Sequence, residues 1–170
     1  DNITYMEIGS YAGASISLMS SHPKVKNSYS LDIGNPIPKE IPIKNVNRFK
    51  NEKCDYLYIE GNSMSNQTID KVKSINPQVD VLFIDGNHFR NAVISDFNNY
   101  KSLIKSGGYI IFDDYMDYKY SPEVKPAVDF IVNNLPPNKY EIIGSLVYDL
   151  LIKTNRPNIK QSNVFIIRKK

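Results

Sequence analysis

The 170-residue sequence has a single cysteine, Cys54, and no tryptophan. One cysteine cannot form an internal disulfide, so the fold must be held by its core, and a reducing compartment such as the cytoplasm is expected. We expect Cys54 itself to be a small buried apolar residue. A chain of this length hides about 70% of its unfolded surface on folding, which is enough for a substantial core.

The sequence also lacks an excess of charge of one sign and any long hydrophobic run. The formal net charge is +3, from 21 basic and 18 acidic residues. The basic residues are scattered, whereas a nucleic-acid-binding domain usually clusters them on one face. No apolar run approaches the ~20 residues that span a bilayer. We therefore predict neither a nucleic acid nor a membrane as a partner.

Apolar runs and helical patterns alternate along most of the chain. Five apolar runs predict strands at Ile3 to Ile8, Tyr29 to Ile33, Tyr56 to Glu60, Val79 to Ile84 and Tyr109 to Phe112. Apolar residues at helical spacing predict helices at Ala14 to Ser21, at Ser65 to Ile75, and at Phe89 to Lys105, where Gly107-Gly108 would end the helix. The proline-rich segment 35–43 is expected to be mostly loop. Near-continuous apolar strands are typical of parallel sheets covered on both faces.

The end of the chain follows a different pattern. After a predicted helix around Pro126 to Asn134, two strands, Tyr140 to Leu146 and Asn163 to Arg168, have no helix between them. Such strands are expected to pair antiparallel. The whole pattern predicts an α/β fold over residues 1–170: a single domain whose open, mostly parallel sheet has helices on both faces and a C-terminal antiparallel strand pair. The start at Asp1, without initiator methionine or signal peptide, predicts that this domain belongs to a longer chain.

Each of the five predicted parallel strands ends on or directly before an acidic residue: Glu7, Asp32, Glu60, Asp85 and Asp113. In open α/β sheets, ligands bind beyond the carboxyl ends of the strands. The acidic residues therefore predict a binding site at this edge of the sheet.

Gly9 and Gly13 bracket the first turn from strand to helix, where missing side chains let a ligand approach the backbone. A dinucleotide site would have a further glycine at Tyr11, and Glu7 beside the turn suits a cationic ligand better than a phosphate. Asp32, 19 residues after Gly13, is placed to accept hydrogen bonds from ribose hydroxyls. The alternatives are a plain tight turn and an ordinary exposed aspartate.

Asp85, Asp113 and Asp114 follow two strands that should be adjacent in the sheet. Carboxylates brought together in this way raise one another's pKa. A divalent cation such as Mg²⁺, which prefers oxygen ligands, would relieve the repulsion. The sequence therefore predicts a metal site formed by these three residues. The alternative is that they cap the turn and the helix that follow them.

Five stretches together resemble the class I S-adenosylmethionine-dependent methyltransferases, and most closely the small O-methyltransferase-like group that includes sugar and rhamnosyl O-methyltransferases. The most specific part is the pair I-D-G-x-H and G-G-x-I-I-x-D-D-Y. The resemblance covers nearly the whole chain, and the five stretches occur in the expected order: Glu7 to Ser15, Leu31-Asp32, Ile59 to Ser63, Leu82 to His88 and Gly107 to Tyr115.

This resemblance implies a Rossmann-like sheet that binds S-adenosylmethionine. Glu7 would lie near the methionine ammonium, the backbone at Gly9 near its carboxylate, and Asp32 at the ribose. Adenine would be bordered by Gly61, Asn62 and Ser63, although the family often has Asp at the position of Asn62. The other implied cofactor-binding positions are Ser10, Gly13, Ser15 and Asp85.

His88, three residues after Asp85, is a candidate catalytic base together with Asp85. A sugar hydroxyl is a very weak acid, so its methylation gains from a metal that lowers its pKa and from a base that takes its proton. In sugar O-methyltransferases that resemble this chain, a histidine at this spacing is thought to be that base. The alternatives are a partly buried histidine bonded to a loop carbonyl, and a histidine that contacts the cofactor without moving protons. His22, beside Pro23, is expected to be structural.

The sequence thus predicts a metal-assisted O-methyltransferase that uses S-adenosylmethionine and Mg²⁺, with a hydroxylated, sugar-like small molecule such as a nucleotide sugar or glycan unit as acceptor. A catechol-like diol as acceptor, and a non-catalytic cofactor-binding or scaffold domain, remain alternatives. The tyrosine-rich loop 115–120 is expected to be exposed and either stacks on an acceptor or fills a surface groove. Asp149 and the segment 147–162 are candidates for the acceptor side. Assembly into a homo-oligomer stays open.

Overall fold

The fold is a seven-stranded sheet with the strand order β3-β2-β1-β4-β5-β7-β6. The computed structural model describes residues 2–147 and 163–170. The strands are β1 Ile3–Ile8, β2 Val25–Asp32, β3 Asp55–Glu60, β4 Val79–Ile84, β5 Ile104–Phe112, β6 Tyr140–Val147 and β7 Asn163–Lys169. The helices are α1 Ala14–Ser21, α2 Glu40–Phe49, α3 Asn66–Ile75, α4 Arg90–Tyr100 and α5 Val124–Asn133, with a 3₁₀ turn at Lys101–Leu103.

Strands β1 to β5 pair in parallel, and β7 pairs antiparallel with both β5 and β6. This confirms the predicted mostly parallel sheet with a C-terminal antiparallel pair. The strand order reverses at β1, which lies between β2 and β4. In sheets of this kind the crevice for a ligand opens at the carboxyl ends of the strands beside that reversal.

The helices cover both faces of the sheet, as predicted. One face packs against α1 and α2 around Tyr5, Ile16 and Val46, and this cluster includes Cys54, which is 1% exposed. The expectation that Cys54 is a small buried residue is therefore confirmed. The other face packs against α3, α4 and α5 in a larger core that includes Phe112. Within the part of the chain that the structure describes, none of the helices has the length and apolar character that a membrane crossing requires.

The segment between β2 and β3 differs from its prediction. Residues 35–43 were expected to be mostly loop, but α2 begins at Glu40 and includes Pro42. Proline is tolerated in the first turn of a helix because the N–H groups there have no partner within the helix. Strand β2 also begins four residues before the predicted Tyr29, at Val25.

The prediction that one helix runs from Phe89 to Lys105 and stops at Gly107-Gly108 is wrong at its C-terminal end. Helix α4 ends at Tyr100, and β5 already begins at Ile104. Gly107 lies inside β5 with φ 84°, and a Cβ at Gly108 would press on the carbonyl of Asp80 in β4 at 2.9 Å. The two glycines therefore serve an irregular strand pairing rather than the end of a helix.

Candidate active site

A cleft of about 790 Å³ opens at the carboxyl ends of β1 to β4, within the size range of small-molecule and cofactor pockets. The turns that follow these strands form its walls. Eight of the ten positions predicted to bind the cofactor line it: Gly9, Ser10, Ser15, Asp32, Gly61, Asn62, Ser63 and Asp85. His88 lies at the same cleft, whereas Glu7 and Gly13 are not among its lining residues.

The glycines of the first turn are explained by the packing of the protein itself. Gly9 has φ 84°, and a Cβ there would overlap the backbone of Asp85. Gly13 has φ 83°, and its Cβ would come within 3.0 Å of Pro42 in α2. Tyr11, at the position where a dinucleotide site would have glycine, also adopts a left-handed conformation, with φ 46°, and is 63% exposed. The turn therefore brings the ends of β1 and β4 together and leaves Tyr11 at the mouth of the cleft.

The carboxylate of Asp32 fastens this turn to the end of β2. Its Oδ2 accepts hydrogen bonds from the backbone N–H groups of Ser10 at 2.8 Å and Tyr11 at 2.9 Å. Its Oδ1 accepts one from the N–H of Gly34 at 2.8 Å. A carboxylate has about four lone-pair sites, so Oδ1 can accept a further bond from a hydroxyl in the cleft.

Two side chains of α4 form hydrogen bonds to the turn after β3. The carbonyl of Ser63 accepts hydrogen bonds from the hydroxyl of Tyr100 at 2.8 Å and from Asn99 Nδ2 at 3.3 Å. Asn62 uses its side-chain oxygen within the turn, accepting the N–H of Met64 at 2.9 Å. Asp96 lies beneath, 1% exposed, and burial raises its pKa to about 6. The α4 residues have ordinary core spacing, so sequence analysis did not identify them as supports of the cleft.

Glu7 is fully buried beneath the floor of the cleft. The hydroxyl of Tyr5 donates a hydrogen bond to its Oε2 at 2.7 Å, while Oε1 has no such partner. Burial, reinforced by the charges of Asp85 and Asp113, raises the pKa of Glu7 from 4.5 to about 8. In the ligand-free protein at neutral pH, Glu7 is therefore mostly protonated.

Asp85 and His88, which line the cleft, lie close to Asp114, which follows β5. Each offers one potential ligand atom, and these three atoms lie within 4.8 Å of one another. His88 Nε2 lies 3.3 Å from Asp85 Oδ1, and His88 Nδ1 lies 3.6 Å from Asp114 Oδ2. Its hydrogen bond to Asp85 raises the pKa of His88, while burial raises the pKa of Asp85.

Asp113, the third residue of the predicted metal site, is not part of this compact group. Burial together with the charges of Asp85 and Asp114 raises its pKa to about 6, so it lies close enough to sense both of them. Asp114, the next residue, adopts a left-handed conformation with φ 55°. Among non-glycine residues, Asp tolerates that conformation comparatively well.

Ser121 also contacts this group and was not identified from the sequence. It is 2% exposed, on the loop before α5. Its hydroxyl donates to Asp114 Oδ2 at 2.8 Å and lies 2.8 Å from His88 Nδ1. Ser121 is separated from His88 by 33 residues, and no motif marks a serine at that distance.

The remaining predicted positions lie apart from the cleft or outside the described residues. The loop 115–120 was expected to be exposed, but Tyr115 is only 8% exposed, because its ring packs against Phe165 at 4.7 Å between centroids. Tyr118 and Tyr120 are 55% and 73% exposed. His22 accepts the N–H of Lys24 on Nδ1 at 3.2 Å. Asp149 and residues 148–162 lie outside the described part of the chain.

Comparisons with known proteins agree with this architecture. The model of a methyltransferase-domain family matches residues 6–115. An uncharacterized protein, R132, of Acanthamoeba polyphaga mimivirus is 38% identical over 153 residues, covering 85% of this chain and 68% of that protein.

Solved structures share the fold at low sequence identity. An O-methyltransferase from Bacillus cereus, solved with S-adenosylhomocysteine, is 16% identical with a TM-score of 0.72, covering 98% of this chain and 74% of its own. The MycE methyltransferase of the mycinamycin biosynthetic pathway, solved with Mg, S-adenosylhomocysteine and mycinamycin VI, is 16% identical with a TM-score of 0.64 and is covered over 45% of its length by 99% of this chain. The chain belongs to the methyltransferase-domain family, and its fold is that of the S-adenosylmethionine-dependent methyltransferases.

Proposed function

We propose that this domain is an S-adenosylmethionine-dependent O-methyltransferase, assisted by a divalent cation, that methylates a hydroxyl of a sugar-like small molecule such as a nucleotide sugar or glycan unit. The observation that carries the proposal is the approach of Asp114 to Asp85 and His88, two lining residues of a cofactor-sized cleft, with one potential ligand atom of each residue within 4.8 Å of the others. The O-methyltransferase and the Mg-containing methyltransferase among the structural neighbours support it.

The cofactor would occupy the cleft along the ends of β1 to β3. Asp32 would accept a ribose hydroxyl on its remaining Oδ1 lone pair, and the turn from Gly61 to Ser63 would border the adenine. S-adenosylmethionine supplies the methyl group from a sulfonium centre. Glu7 lies beneath the floor of the cleft, so it would act on the methionine ammonium through its charge rather than by direct contact. A nearby cation favours the ionised form of a carboxyl group.

The donor set of Asp85, His88 and Asp114 fits a divalent cation. Asp85 and Asp114 present carboxylate oxygens, the ligands that Mg²⁺ prefers, and Asp113 lies within electrostatic reach of both. A cation held by these carboxylates would lower the pKa of an acceptor hydroxyl. It would also favour the ionised form of Asp113, whose pKa is raised to about 6 by burial and then by the charges of Asp85 and Asp114.

His88 would take the proton of the acceptor hydroxyl. Its side chain is 35% exposed at the edge of the cleft, so a bound acceptor can reach it. The in-line displacement at the methyl carbon mainly requires a well-positioned oxygen. Removing the proton from that oxygen prevents a positive charge from remaining on the product ether.

Calorimetric titration with S-adenosylhomocysteine tests the cofactor site. We expect micromolar affinity, about 8 kcal/mol, and a loss of at least about tenfold in Asp32→Ala, because hydrogen bonds to a charged group contribute about 1.5–3 kcal/mol. Asp70→Ala, an exposed aspartate of α3, is the matched control and should bind like the wild type. Absence of binding by well-folded wild-type protein would refute the cofactor assignment.

Titration of a second set of variants with Mg²⁺ tests the metal site. Binding should be lost in Asp85→Asn and Asp114→Asn and retained in Asp70→Asn, while Asp113→Asn reports whether the third aspartate is a ligand. Retained Mg²⁺ binding in Asp85→Asn would refute the proposed metal site and with it the metal-assisted mechanism. Methyl transfer from labelled S-adenosylmethionine to nucleotide sugars, compared with transfer to catechol, then decides the acceptor class.

A further inference from the structure

The Ser121 hydroxyl lies between an acidic and an imidazole side chain and can donate only one proton. It donates that proton to Asp114 Oδ2 at 2.8 Å. The same oxygen lies 2.8 Å from His88 Nδ1. A hydroxyl that has given its proton to a carboxylate can only accept from its second neighbour. His88 Nδ1 must therefore carry the proton of this hydrogen bond.

In a neutral imidazole only one ring nitrogen carries a proton. If Nδ1 donates to Ser121, Nε2 keeps a free lone pair. That nitrogen is the one that lies on the Asp85 side of the ring, 3.3 Å from Asp85 Oδ1. The opposite tautomer would place its proton on Nε2, donate it to Asp85 and force Ser121 to turn its own proton from Asp114 to His88.

We propose that Ser121 is a positioning residue that holds neutral His88 in the Nδ1–H tautomer, oriented by Asp114, so that Nε2 is the nitrogen available to accept a proton. The Ser121 contacts favour this form over the Asp85 contact, since 2.8 Å is a normal hydrogen-bond length and 3.3 Å is long. Ser121 is 2% exposed, so its hydroxyl is largely shielded from water. This inference deepens the proposed function and rests on it for the role of His88 as base.

The chain has only two histidines, which makes the tautomer directly measurable. His22 accepts the Lys24 N–H on Nδ1, so its neutral form must carry the proton on Nε2. The two rings are therefore expected to be opposite tautomers. Long-range ¹⁵N–¹H correlation spectra of histidine-labelled, metal-free protein, in alkaline buffer where both rings are neutral, distinguish the two forms. The exposed His22→Asn variant assigns the signals.

We expect His88 as Nδ1–H in the wild type, conversion to Nε2–H in Ser121→Ala, and retention of Nδ1–H in Ser121→Thr, which keeps the hydroxyl. A merely structural serine would leave the tautomer unchanged in Ser121→Ala, and that result, or Nε2–H in the wild type, would overturn the proposal. S-adenosylhomocysteine titration of the same samples confirms that each variant is folded. If the proposed function is wrong, the wild type does not bind S-adenosylhomocysteine. That result is separate from the tautomer measurement.

Discussion

Replacing Glu7 with glutamine should stabilise the ligand-free protein at neutral pH. The Glu7 side chain is 0% exposed, and within the part of the chain that the structure describes Tyr5 donates a hydrogen bond to its Oε2, whereas Oε1 has no hydrogen-bond partner. Burial raises its pKa from 4.5 to about 8. At pH 7 the folded protein therefore holds a proton on Glu7 that the unfolded chain has released. Glutamine has almost the same shape and carries no charge in either state.

The size of the effect follows from the displacement of this pKa. Below pH 4.5 both states are protonated, and Glu7 imposes no cost of ionisation. As the pH rises toward about 8, the folded state binds more protons than the unfolded state, so the free energy of unfolding falls by about 1.4 kcal/mol per pH unit. The cost reaches about 3 kcal/mol at pH 7 and becomes constant above the folded-state pKa.

Urea unfolding of wild type and Glu7→Gln at about pH 5 and about pH 7.5 measures this difference. The variant should gain about 2–3 kcal/mol relative to the wild type between the two conditions. Other titrating groups that do not interact with Glu7, such as Asp96, are common to both proteins, so their contributions to the pH dependence cancel in the difference. Glu52→Gln, at an exposed position before β3, should show no such change. A difference between wild type and Glu7→Gln that does not depend on pH would refute the reasoning.

Three further predictions concern two supports of the cleft and the buried Cys54. Gly9→Ala should lower the free energy of unfolding by at least about 3 kcal/mol, because of backbone strain and overlap with Asp85. Gly144→Ala is the control: Gly144 also has a positive φ but has open space around it, so the loss should be only about 1–2 kcal/mol. Equal losses in urea unfolding would contradict the predicted clash at Gly9. Tyr100→Phe should lower stability by about 1 kcal/mol through the lost hydrogen bond to Ser63, and an unchanged unfolding midpoint would show that this bond contributes nothing. Cys54, 1% exposed, should react with a thiol reagent only in denaturant, so rapid labelling of native protein would disprove its burial.

Much of the fold could be predicted because its signals are local. The apolar runs of β1, β3 and β4 and the antiparallel strands β6 and β7 were located from residue patterns alone. The errors arose where a local signal had two meanings. Gly107-Gly108 indicates a helix end in sequence but lies within β5, because the sheet requires an irregular pairing there. A proline-rich segment indicates a loop, yet Pro42 occupies a first helical turn, where it costs no hydrogen bond.

The site could be predicted only to the extent that its residues follow strands. Asp32, Asp85 and Asp114 were identified because they stand directly after or at the end of parallel strands, which fixes the edge where they meet. Ser121 lies on a long loop whose course depends on tertiary packing, including the burial of Tyr115. Sequence spacing carries no information about such a contact. The same holds for Tyr100, whose hydroxyl supports Ser63 from a position that otherwise has the pattern of a core residue.

The acidic groups at the cleft share one electrostatic property. Glu7, Asp85 and Asp113 all have raised pKa values, mainly because burial disfavours their charges and in addition because each senses at least one neighbouring aspartate. Among these groups, Glu7, with a pKa of about 8, is the one that keeps its proton at neutral pH at the expense of stability. A sulfonium, an ammonium and a divalent cation are the ligands whose charge would favour ionisation of these groups. The same arrangement would contribute binding energy for a positively charged cofactor and for the proposed metal ion.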